Sequence, residues 1–217
     1  YGPKESELNL LGDVRGKAIL EVGCGSGQTL EYFAMRGAGE LLGVDLSSKQ
    51  IETARKVVSR FDIPIHFIEA PMEEMDMLPE SSFDIAVSMF ALGWTVNLEK
   101  TLSHIFKALK SEGIFVFTWE HPIYSLLDYA DGKLQFRLPY ETEQFEYHES
   151  WRAVPIVMHY RKLSTYINAL IKTGFVIDQL IEETRIPEND TSKPEKWYSA
   201  AKARMLPPSF TIKCHKP

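Results

Sequence analysis

Ile19-Leu-Glu-Val-Gly-Cys-Gly-Ser-Gly-Gln28 is the segment whose reading decides the fold. An apolar run at 18–22 meets three glycines, and an amphipathic stretch at 28–35 follows at once. Short apolar runs without alternation are strands buried on both faces. Glycines here allow positive φ and let a backbone approach a ligand closely. The same alternation continues outward. Residues 41–44, 65–68, 84–88 and 114–119 read as further buried strands, and 49–60 and 98–110 as helices. Ser47 or Ser48 is a cap for the first of these helices and Asn97 for the second. Leu98, Leu102, Ile105, Phe106 and Leu109 form one helical stripe, with Gly113 as the expected stop. Strands alternating with helices predict an α/β, doubly wound, mostly parallel sheet, with a ligand beyond the carboxyl ends of its strands.

The second half is different. Residues 121–160 hold eight aromatics in forty positions and alternate in polarity, which predicts an antiparallel β insertion after the fifth strand. A helix at 163–173, stopped by Gly174, and strands at 175–181 and 209–213 then complete seven strands. Residues 186–196 read as a mobile polar loop. The whole of 1–217 is expected to be one domain: a cofactor-binding half (1–120), a substrate-side lid (121–160) and a closing part (161–217). The 24 basic and 30 acidic side chains give a net charge of −6, which disfavours nucleic acid as a partner. No apolar run is long enough for a bilayer. Cys24 and Cys214 read as reduced thiols, which predicts a cytoplasmic protein. Lys4 and Glu5 close to the start argue against a secretory leader. The absence of an initiator Met leaves open what precedes Tyr1.

The glycine loop has competing readings. A dinucleotide fingerprint needs Gly-x-Gly-x-x-Gly, but after Gly23 and Gly25 the third glycine, Gly27, comes one residue early and position 28 is Gln. No Gly-Lys-Ser/Thr follows, which excludes a Walker loop. Glu21 stands two residues before Gly23. A carboxylate there repels a pyrophosphate and suits a ligand with a sulfonium and an amine, such as S-adenosylmethionine. Blander readings stand beside these: the glycines as a plain tight turn, Glu21 as a solvated charge, Asp45 as a helix-start cap, Cys24 as a small packed residue.

The Glu-x-Gly-x-Gly-x-Gly segment resembles motif I of the class I S-adenosylmethionine-dependent methyltransferases. Gly43-Val-Asp45-Leu-Ser47 is similar to the end of that family's second strand, where the acid takes both ribose hydroxyls. Pro79-Glu-Ser-Ser-Phe-Asp-Ile-Ala-Val-Ser88 resembles the approach to its fourth strand. Leu109-Lys-Ser-Glu-Gly-Ile-Phe-Val-Phe117 resembles the element before its fifth, with Ser111 and Glu112 replacing Pro and Gly. Tyr1-Gly-Pro, residues 8–17 and His121-Pro122 look like a bacterial small-molecule branch, the type 11 methyltransferases. The resemblance implies a Rossmann-like fold and S-adenosylmethionine held by Tyr1, Glu21, Gly23, Cys24, Gly25, Gln28, Asp45, Leu46, Met72, Glu73, Ser88 and Met89. Where the family often has Gly-Asp-Ala, this chain has Glu69-Ala-Pro71-Met-Glu. Pro71 offers neither amide nor acid, so the Met72 amide and Glu73 or Glu69 are left to meet the adenine.

Methyl transfer is an in-line displacement that depends chiefly on positioning. The expected product is a methylated O, N or C atom of a small molecule. The alternatives are a tRNA or protein methyltransferase of the same fold, or a non-catalytic cofactor-binding module. Phe90 and Trp94, after the fourth strand, are expected beside the sulfur and methyl group, or in the core. His121, Tyr124 and Trp151 join them on the substrate side, and His121 is a weak candidate for a base. Arg161 reads as a surface ion pair or a partner for a substrate carboxylate. No metal site is expected, and the chain is read as a monomer or homodimer.

Overall fold

A computed structural model of the chain describes residues 1–130, 132–151 and 154–217, without the side chains of residues 148, 150, 151 and 154–156. After a short helix α1 (Glu5–Leu8), the elements run β1 (Ala18–Val22), α2 (Gln28–Met35), β2 (Glu40–Asp45), α3 (Ser48–Val58), β3 (Ile65–Glu69), β4 (Phe83–Met89), α4 (Leu98–Ala108) and β5 (Leu109–Glu120). The order continues with α5 (Pro122–Ser125), β6 (Leu127–Ala130), β7 (Lys133–Phe136), β8 (Gln144–Trp151), β9 (Val154–Tyr160), α6 (Leu163–Thr173), β10 (Val176–Ile181), α7 (Ala200–Ala203) and β11 (Ser209–His215).

Seven strands form one sheet in the order β10-β11-β5-β4-β1-β2-β3. Strands β1 to β5 are mutually parallel, and β11 runs antiparallel between β5 and β10. Strands β6–β7 and β8–β9 are separate antiparallel pairs, the insertion expected after the fifth strand. Both faces of the sheet are covered. Leu98, Leu102 and Ile105 of α4 and Tyr166 and Leu170 of α6 pack on one face. Leu30 and Phe33 of α2 and Val58 of α3 pack on the other. Truncating a residue such as Leu102 to Ala is worth about 2–5 kcal/mol of stability. The order reverses between β1 and β4, so the carboxyl ends of these two strands flank the switch point where such sheets bind ligands.

Capping follows the sequence. Ser47 accepts the Gln50 amide and starts α3, Asn97 accepts the Lys100 amide and starts α4, and Gly174 at φ 110° closes α6. Three expectations need correction. Helix α4 stops at Ala108, not at residue 110, and Gly113 lies inside β5. Leu109 already pairs with Phe83, and the register then slips before Ile85 meets Ile114. The extra residues bend outward through Glu112 at φ 60°, whose amide donates to the Lys216 carbonyl. A Cβ at Gly113 would sit 2.7 Å from the Lys110 carbonyl oxygen, so the bend needs glycine. Arg161, expected from the sequence to begin the following helix, instead precedes α6, which begins at Leu163. Residues 186–196 form no helix or strand, as expected of a loop, but they are tethered. Asp190 and Ser192 bond the Tyr1 hydroxyl at 2.5 and 3.1 Å, and Ser192 Oγ accepts the Ala200 amide.

Candidate active site

The loop after β1 is built on β2. The Gly23 and Cys24 amides both donate to the Val44 carbonyl at 2.8 and 2.9 Å. Asp45 then grips the loop from the end of β2. One carboxylate oxygen accepts the Gly25 amide at 2.8 Å and the other the Ser47 amide at 2.9 Å. Gly23 has φ 76°, and a Cβ there would fall 2.2 Å from that of Ala91, so the loop packs directly on the segment leaving β4. Gly25 has φ 50°, and a Cβ there would meet nothing within 4 Å. Its backbone faces open space beside a half-buried carboxylate, where a ligand can approach. Gly27 at φ 84° starts α2, followed by Gln28. Cys24 is buried against Gly43, and burial raises its thiol pKa, which leaves it a packing residue.

Glu21 is 2% exposed. The Thr29 hydroxyl and the Leu30 amide, in the first turn of α2, donate to its carboxyl group, while Oε2 has no partner among the described residues. Burial pushes its pKa up to about 8, with the nearby charge of Asp45 adding to the shift. The group expected as a negative tip for a cationic ligand, or else as a solvated charge, is therefore a buried carboxyl under the loop, mostly protonated at neutral pH.

The β4 side is more open. Ser88 is buried and its Oγ is unpartnered among the described residues. Met89 and Phe90 are exposed at the strand end, with Phe90 at φ 53° and its amide on the Thr118 carbonyl at 2.9 Å. Leu46, 68% exposed, adds apolar surface beyond β2. The Met72 side chain comes close to Gly23. Glu73 turns toward the α4 side, where its Oε2 accepts from Thr95 at 3.1 Å. Gly93 lies against Trp119, a Cβ there falling 1.8 Å from the ring, and Trp94 meets Trp119 edge to face at 5.4 Å.

The remaining expected residues have structural partners. The Tyr1 hydroxyl is bound to the 190–192 segment. His121 caps α5: Nδ1 accepts the Ile123 amide and Nε2 bonds Glu182 at 2.8 Å, so both ring nitrogens are occupied. The buried Tyr124 hydroxyl donates to the Trp197 carbonyl. Trp151 lies in β8, but its side chain is outside the described residues. The sequence reading missed Glu120. At the end of β5 its carboxylate accepts from Trp197 Nε1 at 2.7 Å, from the Tyr198 hydroxyl, and from Ser125 Oγ at 3.2 Å. The aromatic pair Trp197-Tyr198, set in a polar stretch, was the available signal. Among the described residues no cluster of His, Cys, Asp or Glu is fit to hold a metal, and no helix is long and apolar enough to cross a membrane.

A glycine backbone open to ligand, a two-oxygen acceptor at Asp45, exposed apolar side chains at two strand ends and an orphaned buried Glu21 oxygen fit a ligand with a ribose, an aromatic base and a cationic amino-acid tail. They present no basic group for phosphate. Comparison with known proteins agrees. The profile of a family described as a methyltransferase domain matches residues 20–117. An uncharacterized protein of Haemophilus influenzae is 32% identical over 98% of this chain and 86% of its own length. A malonyl-[acyl-carrier protein] O-methyltransferase of Paenibacillus is 35% identical over 48% of this chain, though the match spans only 40% of that enzyme. A crystal structure of an S-adenosylmethionine-dependent methyltransferase from Mesorhizobium loti has a TM-score of 0.81 and 29% identity, covering 97% of this chain and 96% of that one. The chain belongs to the class I S-adenosylmethionine-dependent methyltransferases, with S-adenosylmethionine as its cofactor.

Proposed function

We propose that this enzyme methylates a small molecule held over the ends of β4 and β5. The observation that carries the reading is the cover on those ends. Tyr140, Thr142 and Tyr160 of the insertion close over Trp119 and Glu120, leaving a cavity of about 10 Å³. That volume is room for one water, so an acceptor must be admitted by movement of the cover and then enclosed. Enclosure suits a small molecule; an RNA or protein surface needs an open, wide face. The net charge of −6 supports the same reading.

S-adenosylmethionine, when bound, supplies a methyl carbon made electrophilic by its sulfonium. The protein's own residues bind and position. Asp45, fixed by the Gly25 and Ser47 amides, would take the ribose hydroxyls. Gly23 and Gly25 would present backbone to the amino-acid tail, and the unpartnered Glu21 oxygen lies beneath them. Leu46, Met72 and Met89 would cover the adenine and sulfur. Phe90 and Trp94 would wall the acceptor side, and apolar walls do not oppose a transfer in which positive charge disperses. Holding the reacting atoms in line at about 3 Å supplies most of the rate. His121 has no free nitrogen for a proton, so it holds the end of β5 in place.

The test is incubation of the enzyme with methyl-labelled S-adenosylmethionine and a cell extract separated into low-molecular-weight, RNA and protein fractions. Label should enter the first. Label in RNA or protein alone overturns the proposal, and binding of the cofactor with no turnover in any fraction turns it to a cofactor-binding module.

A further inference from the structure

Arg161, between β9 and α6, is 6% exposed and lines the cavity with Glu120, Ser125, Tyr140 and Tyr160. Nη1 donates to the Gly93 carbonyl at 3.3 Å and Nη2 to the Thr95 carbonyl at 2.5 Å. These are the carbonyls of the segment that leaves β4 beside Phe90. Two of the five guanidinium donors are thus spent on fixing the side chain, and the buried Tyr166 hydroxyl stands beside the guanidinium as well. No described carboxylate forms an ion pair with it. Arg137 on the neighbouring wall is different: it pairs with Glu146 at 2.9 Å and bonds the Tyr160 hydroxyl. Burial lowers the pKa of Arg161, and the neighbouring Tyr166 hydroxyl, with Glu143 and Glu73 after it, offsets that only in part. A buried cation without a counter-ion is costly, and an anion that paired with it would remove that cost. Glu120 brings the opposite charge to the same cavity, but its oxygens are occupied by Trp197, Tyr198 and Ser125. An incoming anion is therefore directed to the arginine end.

We propose that Arg161 anchors a carboxylate carried by the methyl acceptor. The guanidinium is a planar fork that matches two carboxylate oxygens, and its anchorage to the Gly93 and Thr95 carbonyls sets the acceptor's position relative to the end of β4. The inference rests on the reading of a small-molecule acceptor and narrows it to an acid.

The experiment uses the full chain. A low-molecular-weight extract is divided at pH 8 on an anion exchanger into retained and unretained pools, and each is incubated with methyl-labelled S-adenosylmethionine. Label is expected in the retained pool, surviving alkaline phosphatase and abolished when carboxylates are first converted to amides. Label only in the unretained pool, or label lost to phosphatase, overturns the anchor while small-molecule methylation stands. No label in either pool, with label entering RNA or protein in the undivided cell extract, overturns both. Arg161→Lys, which keeps the charge and loses the fork, should raise the KM for the retained pool at least tenfold with kcat within about threefold and cofactor affinity unchanged. A variant whose cofactor affinity, kcat and melting temperature fall together with KM unmoved marks Arg161 as structural and overturns the proposal; if the variant does not fold, the pool experiment decides alone.

Discussion

Replacing Glu21 by Gln should make the apo-protein more stable, by an amount that grows with pH. In the unfolded chain the carboxyl has its ordinary pKa near 4.5; in the folded protein burial raises it to about 8. Below pH 4.5 both states are neutral and there is no penalty. Between the two values the unfolded chain ionises while the folded one holds its proton, and stability falls by about 1.4 kcal/mol per pH unit. Above pH 8 both are charged and the loss is complete. Relative to a side chain that never ionises, the two pKa values give a penalty of about 1 kcal/mol at pH 5 and about 4 kcal/mol at pH 7.5. The amide of Gln keeps an oxygen for Thr29 and Leu30 but places an orphan donor where Oε2 stood. That cost is independent of pH and cancels in the comparison.

The assay is urea unfolding of both proteins without cofactor at several pH values from 5 to 7.5. The advantage of the variant should rise by about 3 kcal/mol across that range. In a thermal melt of 217 residues this corresponds to about 6–7 °C. All other titrating groups are common to the two proteins, so the difference isolates one carboxyl. A difference that stays flat within about 1 kcal/mol would refute the reasoning. It would mean that Glu21 is ionised in the folded protein at neutral pH, a standing negative charge under the loop as the bare sequence implied.

The other predictions concern the loop and the end of β5. Asp45→Ala removes the acceptor for the Gly25 and Ser47 amides together with the proposed ribose contact, and calorimetry should show a loss of about 2–3 kcal/mol in cofactor binding, roughly 30- to 100-fold. Gly23→Ala forces two Cβ atoms to 2.2 Å at a positive φ and should cost more than about 3 kcal/mol in a denaturation experiment. Gly25→Ala meets nothing, so it should cost only about 1–2 kcal/mol for its positive φ while abolishing cofactor binding. Equal effects at the two glycines would show that Gly25 does not face the ligand. His121→Ala should remove a helix cap worth about 0.5–2 kcal/mol and lower the melting temperature, with kcat within threefold once label incorporation is measurable. A drop of a hundredfold in kcat at unchanged stability would return His121 to the reaction.

These predictions divide along the line that separates what the sequence disclosed from what it did not. The cofactor side is local. Residues 19–28 carry strand, loop and helix start within ten positions, and Asp45 stands at the end of the next strand, so spacing together with the family resemblance was enough to single them out. Even there, orientation escaped: the sequence could not say that the carboxyl two residues before Gly23 turns under the loop to the Thr29 hydroxyl and Leu30 amide and loses its charge. The start of β5 escaped too, because pairing with β4 and the tie from Glu112 to Lys216 overrode a helical stripe that runs on to Leu109. The acceptor side is made of distant pairs. Glu120 meets Trp197 and Tyr198 across 77 and 78 residues, and Arg161 meets Gly93 and Thr95 across 68 and 66. No periodicity encodes such pairings; only the packing of the insertion and the 190s segment onto the sheet creates them. Arg161, legible in the sequence only as a surface charge or a carboxylate partner, is the case in point. Burial removes the first alternative, and an arginine held at the cavity by two carbonyls, with no ion pair among the described residues, leaves the carboxylate partner as the reading to test.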